Sequence, residues 1–269
     1  MATLAVPLPI VVIARLLGVP PEDEARIKQW SDDAASVADN DPRIEVLERA
    51  QRSMDSMRAY VLDVVAARAR HPGDDLISAL VHAEEDGDRL SPDELVGIVQ
   101  VLLIAGQETT TQLIGNGLSA LMAHPEQLAR LRATPNLMTK AVEECLRYDT
   151  PVQARTRVAT QEMKLGGQRI PAGQTLFLLL GAANRDPRAF PDPDRFDIDR
   201  DNNHHLAFGH GIHYCLGHAL ARLEGRIALG TLIARMPRLA QDPDAHPRRT
   251  PNFSLRGFTS LPVVYGDQP

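Results

Sequence analysis

Residues 208–217 read Phe-Gly-His-Gly-Ile-His-Tyr-Cys-Leu-Gly, and this stretch places Cys215 among three glycines. A thiolate that binds a metal needs backbone N–H groups aimed at its sulfur, and glycine lets the main chain approach closely enough to supply them. A helix expected to begin at Leu216 would add the positive end of its dipole beside the same sulfur. The stretch therefore predicts a low-pKa thiolate in a backbone cradle, suited to binding a metal.

Two other interpretations of Cys215 compete with this one. A lone cysteine is most often a small buried side chain, but that role would not require the glycines. Zinc could bind Cys215 together with neighbouring histidines, which are His204, His205, His210 and His213. Structural zinc sites use two closely spaced pairs of ligands, and the spacing here fits no such pattern.

A second unusual segment lies in a long predicted helix. Ser91-Pro92-Asp93-Glu94 is a capping box that predicts a helix start, and the next breaker follows Met122. In the middle of this helix stand Ala105-Gly106-Gln107-Glu108-Thr109 and two further threonines. Glycine and β-branched residues are poor helix formers, so this segment predicts a function, with a locally strained structural helix as the alternative.

Two shorter motifs complete the set. Glu144-Cys145-Leu146-Arg147 falls in a helix predicted from Leu137 to Tyr148, and Pro193-Asp194-Arg195-Phe196 falls in a loop rich in proline and aspartate. With residues 105–109 and 208–217, these motifs resemble those of the cytochrome P450 family in sequence, order and spacing. The residues that flank these motifs are similar to those of the soluble bacterial branch of that family.

The resemblance implies a haem b cofactor (iron protoporphyrin IX) with the Cys215 thiolate as the axial ligand of the iron. His213 and Arg157 would bind the haem propionates, while Phe208 and Gly209 would lie against the proximal haem face. Arg155 matches no ligand position of the family and is expected to line the pocket or the surface.

On the distal side of the haem, the resemblance makes Glu108 and Thr109 the catalytic pair. Thr109 would contact dioxygen and Glu108 would relay protons from solvent. Gly106, with Ala105 before it, would let the helix open where dioxygen sits.

The resemblance also implies a structural triad and a substrate pocket. Glu144 and Arg147, three residues apart on one helix face, would pair with Arg195 to brace the haem loop. The predicted pocket is mainly apolar and suits a small or medium hydrophobic organic substrate. It is expected to be lined by Val101, Leu102, Val152, Gln153, Phe258 and Thr259.

The predicted fold class is mainly α with a small β region, a cytochrome P450 fold that lacks the N-terminal third of the family. We expect one partial domain over residues 1–269, with a helical half at 1–148 and a β, meander and haem-loop half at 149–269. The surface left bare by the missing third would favour self-association.

Composition excludes several classes of protein. The formal net charge is −6, and acidic and basic residues are mixed along the chain, which argues against a nucleic-acid partner. The most apolar stretch, residues 4–19, is short and interrupted by Arg15, so a buried helix is expected there and a membrane anchor is not. Two cysteines cannot form a disulfide framework, which favours the cytoplasm.

Two functions follow from the resemblance. The first is a haem-thiolate monooxygenase that takes electrons from a ferredoxin- or flavodoxin-type donor and inserts one oxygen atom of O2 into its substrate. The second is a truncated, non-catalytic remnant or a partner subunit that binds haem weakly or not at all.

Overall fold

A computed structural model describes residues 1, 3–39, 43–85 and 87–266, and these are mostly helical. This confirms the predicted fold class. The α-helices are α1 (Pro7–Leu16), α2 (Glu24–Ala35), α3 (Ile44–Arg70), α4 (Leu76–Val81), α5 (Pro92–Ala123), α6 (Pro125–Ala133), α7 (Met138–Tyr148), α8 (Leu180–Ala183) and α9 (His218–Arg235).

The strands are short and pair in antiparallel twos. They are β1 (Glu84–Glu85), β2 (Asp88–Arg89), β3 (Ala154–Val158), β4 (Met163–Leu165), β5 (Gln168–Ile170), β6 (Thr175–Leu179), β7 (Ala240–Gln241), β8 (Arg248–Arg249), β9 (Phe258–Ser260) and β10 (Val263–Val264). The pairs are β1 with β2, β3 with β6, β4 with β5, β7 with β10, and β8 with β9. The β3–β6 pair is the longest, with five residues opposed along its register.

The chain forms two compact units, Met1–Thr111 and Gln112–Pro269. The first unit has a core in which Ile13, Leu17, Ile27, Met57 and Leu103 are almost fully buried. The buried helix expected near the start of the chain is therefore confirmed by α1 and the residue that follows it. The single domain with halves at 148 and 149 remains a prediction.

The start of α5 follows the predicted capping box. The Glu94 carboxylate accepts a 2.8 Å hydrogen bond from the Ser91 N–H, and the Ser91 hydroxyl accepts one of 3.3 Å from the Glu94 N–H. This exchange satisfies two N–H groups that a helix terminus otherwise leaves unpaired. The helix therefore begins at Pro92, as predicted.

In the second unit, α7 and α9 pack against each other and against the end of α5, and glycines allow the close contacts. A Cβ atom at Gly225 would lie 3.1 Å from the Leu113 side chain and 3.4 Å from that of Val142. A Cβ atom at Gly117 would lie 3.0 Å from Leu229 and 3.2 Å from the Cys145 sulfur. These glycines allow the helices of this unit to approach closely. The packing places the helix that follows Cys215 directly against the Glu-x-x-Arg helix.

Residues 250–265 read as a β-hairpin, but they do not form one. β9 pairs with the upstream β8, and β10 pairs with β7. β9 and β10 therefore each pair with a strand earlier in the chain and not with each other.

Within the residues that the structure describes, no helix combines the length and the apolar character needed to span a membrane.

Candidate functional site

The loop that carries Cys215 is closed by its own backbone. Gly209 and Gly211 have φ angles of 73° and 71°, a left-handed conformation that residues with a Cβ rarely adopt. The Cys215 N–H donates a 2.9 Å hydrogen bond to the Phe208 carbonyl, and the His218 N–H donates one of 3.3 Å to the Cys215 carbonyl. The loop therefore holds Cys215 at a fixed point just before α9.

The thiol of Cys215 is half-buried, and its electrostatics differ from the prediction. Burial raises the pKa of Cys215 above its usual value, although the N–H of Gly217 and the charges of Arg222 and Arg155 lower it in part. The low-pKa thiolate predicted for the loop is therefore wrong for the chain by itself. The helix begins at His218 instead of Leu216, and loss of hydration outweighs the hydrogen bond and the nearby charges. A bound metal ion would supply the missing positive charge, since a coordinating thiol is deprotonated outright.

Large exposed side chains flank Cys215 along the loop. Ile212 is 98% exposed, Leu216 is 78% exposed, and Tyr214 is also exposed. Exposed apolar residues grouped within one short segment can mark a ligand-binding site. A flat apolar group such as a porphyrin ring bound by Cys215 would suit this segment.

Strand β3 carries two cations, and one of them, Arg155, lies near the Cys215 sulfur. Arg155 and Arg157 are two residues apart, so they lie on one face of the strand, and the charges of Arg155 and Cys215 influence each other's pKa values. In the described parts of the chain neither arginine forms an ion pair with a carboxylate. Their known acceptors are backbone carbonyls, those of Ala154 and Thr156. Two cations without carboxylate partners fit the two propionates of a haem.

The predicted propionate ligand His213 ends a short 3₁₀ turn from Gly211 and is exposed. The zinc alternative gains no support, because no cluster of three His, Cys, Asp or Glu side chains able to hold a metal exists among residues 1, 3–39, 43–85 and 87–266. The chemistry of the site therefore suits a haem better than a bare metal ion.

The predicted triad is present with a different third side chain. Both nitrogens of the Arg147 fork donate 2.8 Å hydrogen bonds to Glu144, and both side chains are fully buried. Arg195 contributes its backbone carbonyl to Arg147, at 3.1 Å, while its own side chain is 63% exposed and lies 3.4 Å from Asp197. The second guanidinium on Glu144 belongs to Arg200, at 3.3 Å.

Arg200 therefore takes the place expected for the Arg195 side chain. Arg200 also donates to the backbone carbonyls of Pro191, Asp192 and Arg195. Arg147 donates to those of Asn184 and Pro193. The network thus ties α7 to the loop that precedes the haem-loop motif, and its role is structural.

The predicted catalytic pair lies in the first unit, on α5. Glu108 and Thr109 are both half-buried, and the Thr109 hydroxyl donates a 2.8 Å hydrogen bond to the Ala105 carbonyl. The helix runs unbroken through this segment, so the opening expected at Gly106 is not present. A Cβ atom at Gly106 would lie 3.4 Å from the Ile13 side chain of α1, an ordinary van der Waals contact.

Neighbouring polar residues on α5 serve the fold. Gln107 is buried and donates to the Leu103 carbonyl and the Ser31 hydroxyl. Thr111 is buried and donates a 2.8 Å hydrogen bond to the Ala5 carbonyl. The polar run therefore mixes anchoring residues with the two half-buried residues that remain candidates for chemistry.

The residues of the predicted substrate pocket fall in both units. In the first unit, Val101 is 62% exposed and Leu102 packs against the core. In the second, Val152 forms a β-bridge with Leu255, and Gln153 donates to the Thr150 carbonyl. Phe258 is buried with the Arg249 guanidinium 4.0 Å from its ring centre, and the Thr259 hydroxyl donates to the Arg248 carbonyl.

Sequence reasoning missed a charged pair beneath the cysteine loop. Glu143, next to the recognised Glu144, binds Arg222 on α9. Both residues stand outside the four motifs. The available signal was a charged residue at each of the two positions. Both residues lie on the faces through which α7 and α9 contact each other.

A family model and several known proteins match this chain over most of its length. A model of the cytochrome P450 family matches residues 38–134 and 135–262. Cytochrome P450 monooxygenase PikC of Streptomyces venezuelae is 48% identical over 268 residues, which cover 98% of this chain and 62% of PikC. The 6-deoxyerythronolide B hydroxylase of Saccharopolyspora erythraea is 46% identical over 264 residues, covering 96% of this chain and 63% of the hydroxylase.

The structure also matches solved folds. The cytochrome P450 PksS of the Bacillus subtilis 168 bacillaene polyketide synthase superimposes with a TM-score of 0.93 at 38% identity, covering 99% of this chain and 68% of PksS. The chain spans slightly less than two thirds of the length of the two curated relatives named above. The matches in sequence and fold agree with the cysteine loop and the buried Glu-x-x-Arg network, and the chain therefore belongs to the cytochrome P450 family.

Proposed function

We propose that this chain binds haem b through the Cys215 thiolate and acts as a monooxygenase on a small or medium hydrophobic organic substrate. The observation that carries the proposal is the surroundings of Cys215. Cys215 is half-buried and precedes the exposed Leu216 in its loop, and Arg155 of β3, which pairs with no carboxylate among the described residues, lies near its sulfur. Proteins of this family carry haem, and a thiolate ligand pushes electron density toward the iron and favours cleavage of the O–O bond.

The chain's own residues would divide the remaining work. Cys215 supplies the ligand, Phe208 packs behind it, and Arg157, Arg155 and His213 hold the propionates. On α5, the Thr109 hydroxyl would exchange its bond to the Ala105 carbonyl for one to dioxygen, while the Glu108 carboxylate passes protons toward it.

The substrate class rests on the apolar residues of the predicted pocket and on the relatives. The Saccharopolyspora erythraea enzyme is named as a hydroxylase of 6-deoxyerythronolide B, and the Bacillus subtilis structure is named for a polyketide synthase. We propose a hydrophobic substrate of comparable character, with electrons from a ferredoxin- or flavodoxin-type donor.

Reconstitution with haem tests the proposal. The full chain is incubated with hemin, reduced, and exposed to carbon monoxide, and the red-shifted Soret band of a thiolate-ligated complex is expected. Cys215→Ala should abolish that band, while Cys145→Ala, which removes the other cysteine, should keep it. No band in the unsubstituted chain, or a band that survives Cys215→Ala, would refute the ligand assignment.

The second candidate, a partner subunit without catalysis, is favoured by one observation. Phe177, Leu179 and Phe253 are large exposed apolar residues of the second unit, and the rings of Phe177 and Phe253 lie 6.0 Å apart. An apolar cluster at the surface commonly marks an interface. Light scattering over a range of concentrations should show self-association that Leu179→Glu weakens, and a monomer at every concentration would argue against this candidate.

A further inference from the structure

We propose that the Glu143–Arg222 ion pair sets the reduction potential of the iron bound by Cys215, with Arg222 as the cation that favours reduction. This inference rests on the proposed haem-thiolate function. Arg222 and Glu143 are positioning residues in this role, since neither is expected to touch the haem, the substrate or oxygen.

The pair is held in a two-bond geometry. Arg222 Nε lies 2.7 Å from Glu143 Oε1, and Arg222 Nη2 lies 2.9 Å from Glu143 Oε2. The side chains are only 28% and 23% exposed. Parallel bonds between a guanidinium and a carboxylate fix the direction of the fork as well as its distance. The charge of Arg222 therefore occupies a defined place between α7 and α9.

Two rings restrict the guanidinium further, and a third contacts its carboxylate partner. Its remaining terminal nitrogen donates to His218 Nδ1 at 2.8 Å, and its central carbon lies 4.4 Å from the ring centre of Phe208. His205 Nε2 lies 3.2 Å from the same Glu143 carboxylate. An arginine used only to join two helices would not need a ring face and an imidazole acceptor in addition to a bidentate carboxylate.

The same ring connects the pair to the ligand. Phe208 stacks on Arg222 through its side chain and accepts the Cys215 N–H through its carbonyl, at 2.9 Å. Burial raises the pKa of Glu143, but bonds from His205 and Arg222 lower it overall to about 2. Both members of the pair are therefore ionised at neutral pH.

The sign of the effect follows from Coulomb's law. Reduction of the iron adds one negative charge to the haem and its thiolate, and a nearby cation stabilises the reduced form while an anion destabilises it. Arg222 should therefore raise the potential and Glu143 should lower it. A purely structural ion pair predicts no such opposition.

The experiment is a redox titration of the ferric–ferrous couple in the full chain after reconstitution with hemin. We expect Arg222→Gln to reduce the equilibrium constant for one-electron reduction about tenfold, a shift of about 59 mV to lower potential. Glu143→Gln should shift the potential upward, and Arg222→Lys, which retains the charge, should stay near the unsubstituted value. Arg226→Gln is the matched control, because Arg226 lies one turn further along α9 and, among the residues that the structure describes, bonds only Thr139, at 3.5 Å.

Three results would overturn the inference. The potential of Arg222→Gln could equal that of Arg226→Gln, Glu143→Gln could shift it in the same direction as Arg222→Gln, or Arg222→Lys could lower it as much as the glutamine does. Should Arg222→Gln fail to fold, the direction of the Glu143→Gln shift decides. If the unsubstituted chain lacks the thiolate-type Soret band with carbon monoxide, the proposed function fails and takes this inference with it. A normal band with unchanged potentials refutes the inference alone.

Discussion

The Glu144 carboxylate accepts 2.8 Å hydrogen bonds from Nε and Nη2 of Arg147, and neither side chain is exposed to solvent. A buried pair of this kind has given up its hydration, so removal of one partner strands the other charge. Arg147→Gln and Glu144→Gln should each lower the free energy of unfolding by about 3–5 kcal/mol, as measured by urea denaturation. Arg195→Gln is the control and should cost less than about 1 kcal/mol, because the side chain of Arg195 is mostly exposed. A large effect of Arg195→Gln would restore it as the third member of the network.

The two cations of β3 should govern haem affinity. Arg155→Gln and Arg157→Gln should each weaken hemin binding at least about tenfold, since a hydrogen bond to a charged group contributes about 1.5–3 kcal/mol and about 1.4 kcal/mol corresponds to a factor of ten. Titration of the haem-free chain with hemin at low and high salt measures this, and both losses should shrink as salt screens the charges. Arg169→Gln is the matched control, because Arg169 lies on the β4–β5 hairpin and already pairs with Glu162. Equal losses for all three variants would show a general charge effect and no propionate contact.

Substitution of Thr109 should affect the reaction, whereas substitution of Thr111 should affect the stability of the fold. Thr109→Ala should leave haem binding intact and change the free energy of unfolding by less than about 1 kcal/mol, because its hydroxyl bonds a carbonyl of its own helix. It should nevertheless divert electrons from product to hydrogen peroxide. Thr111→Ala should do the reverse, because its buried hydroxyl satisfies the Ala5 carbonyl. Product formed per electron consumed distinguishes the two, and an unchanged yield for Thr109→Ala would remove its assigned role.

Glu224 should make stability depend on pH. It is buried on α9, one of its carboxyl oxygens has no hydrogen-bond partner, and burial raises its pKa from 4.5 to about 7. The folded chain therefore retains this proton where the unfolded chain has lost it, so stability falls as the pH rises from about 4.5 to about 7 and is level above that. Each unit of pKa shift is worth at most about 1.4 kcal/mol.

Glu224→Gln should remove this part of the slope, because an amide does not titrate in this range. Urea denaturation of both proteins at pH 5, 6 and 7.5 measures the difference. Equal slopes would mean that Glu224 is ionised in the folded chain.

The sequence predicts local features better than partners distant in the chain. Ser91 and Glu94 lie one helical turn apart, so their reciprocal capping hydrogen bonds can be predicted from the spacing alone. The choice between Arg195 and Arg200 is different, because both follow the same proline-rich loop and only its path decides which guanidinium reaches Glu144. In residues 250–265 the sequence indicates strands but not their partners, and β9 and β10 pair with β8 and β7 instead of with each other.

The electrostatics of Cys215 show a further limit. The glycines and the helix that follows are visible in the sequence, and each favours a thiolate. The depth at which the fold buries the sulfur is not visible, and burial reverses the outcome.

The aliphatic residues Ile212 and Leu216 give the haem-free chain an exposed apolar surface, which a bound haem would cover. A fluorescent dye that brightens on apolar surfaces should bind there and be expelled as hemin enters, which gives a real-time readout of cofactor insertion without any redox reagent.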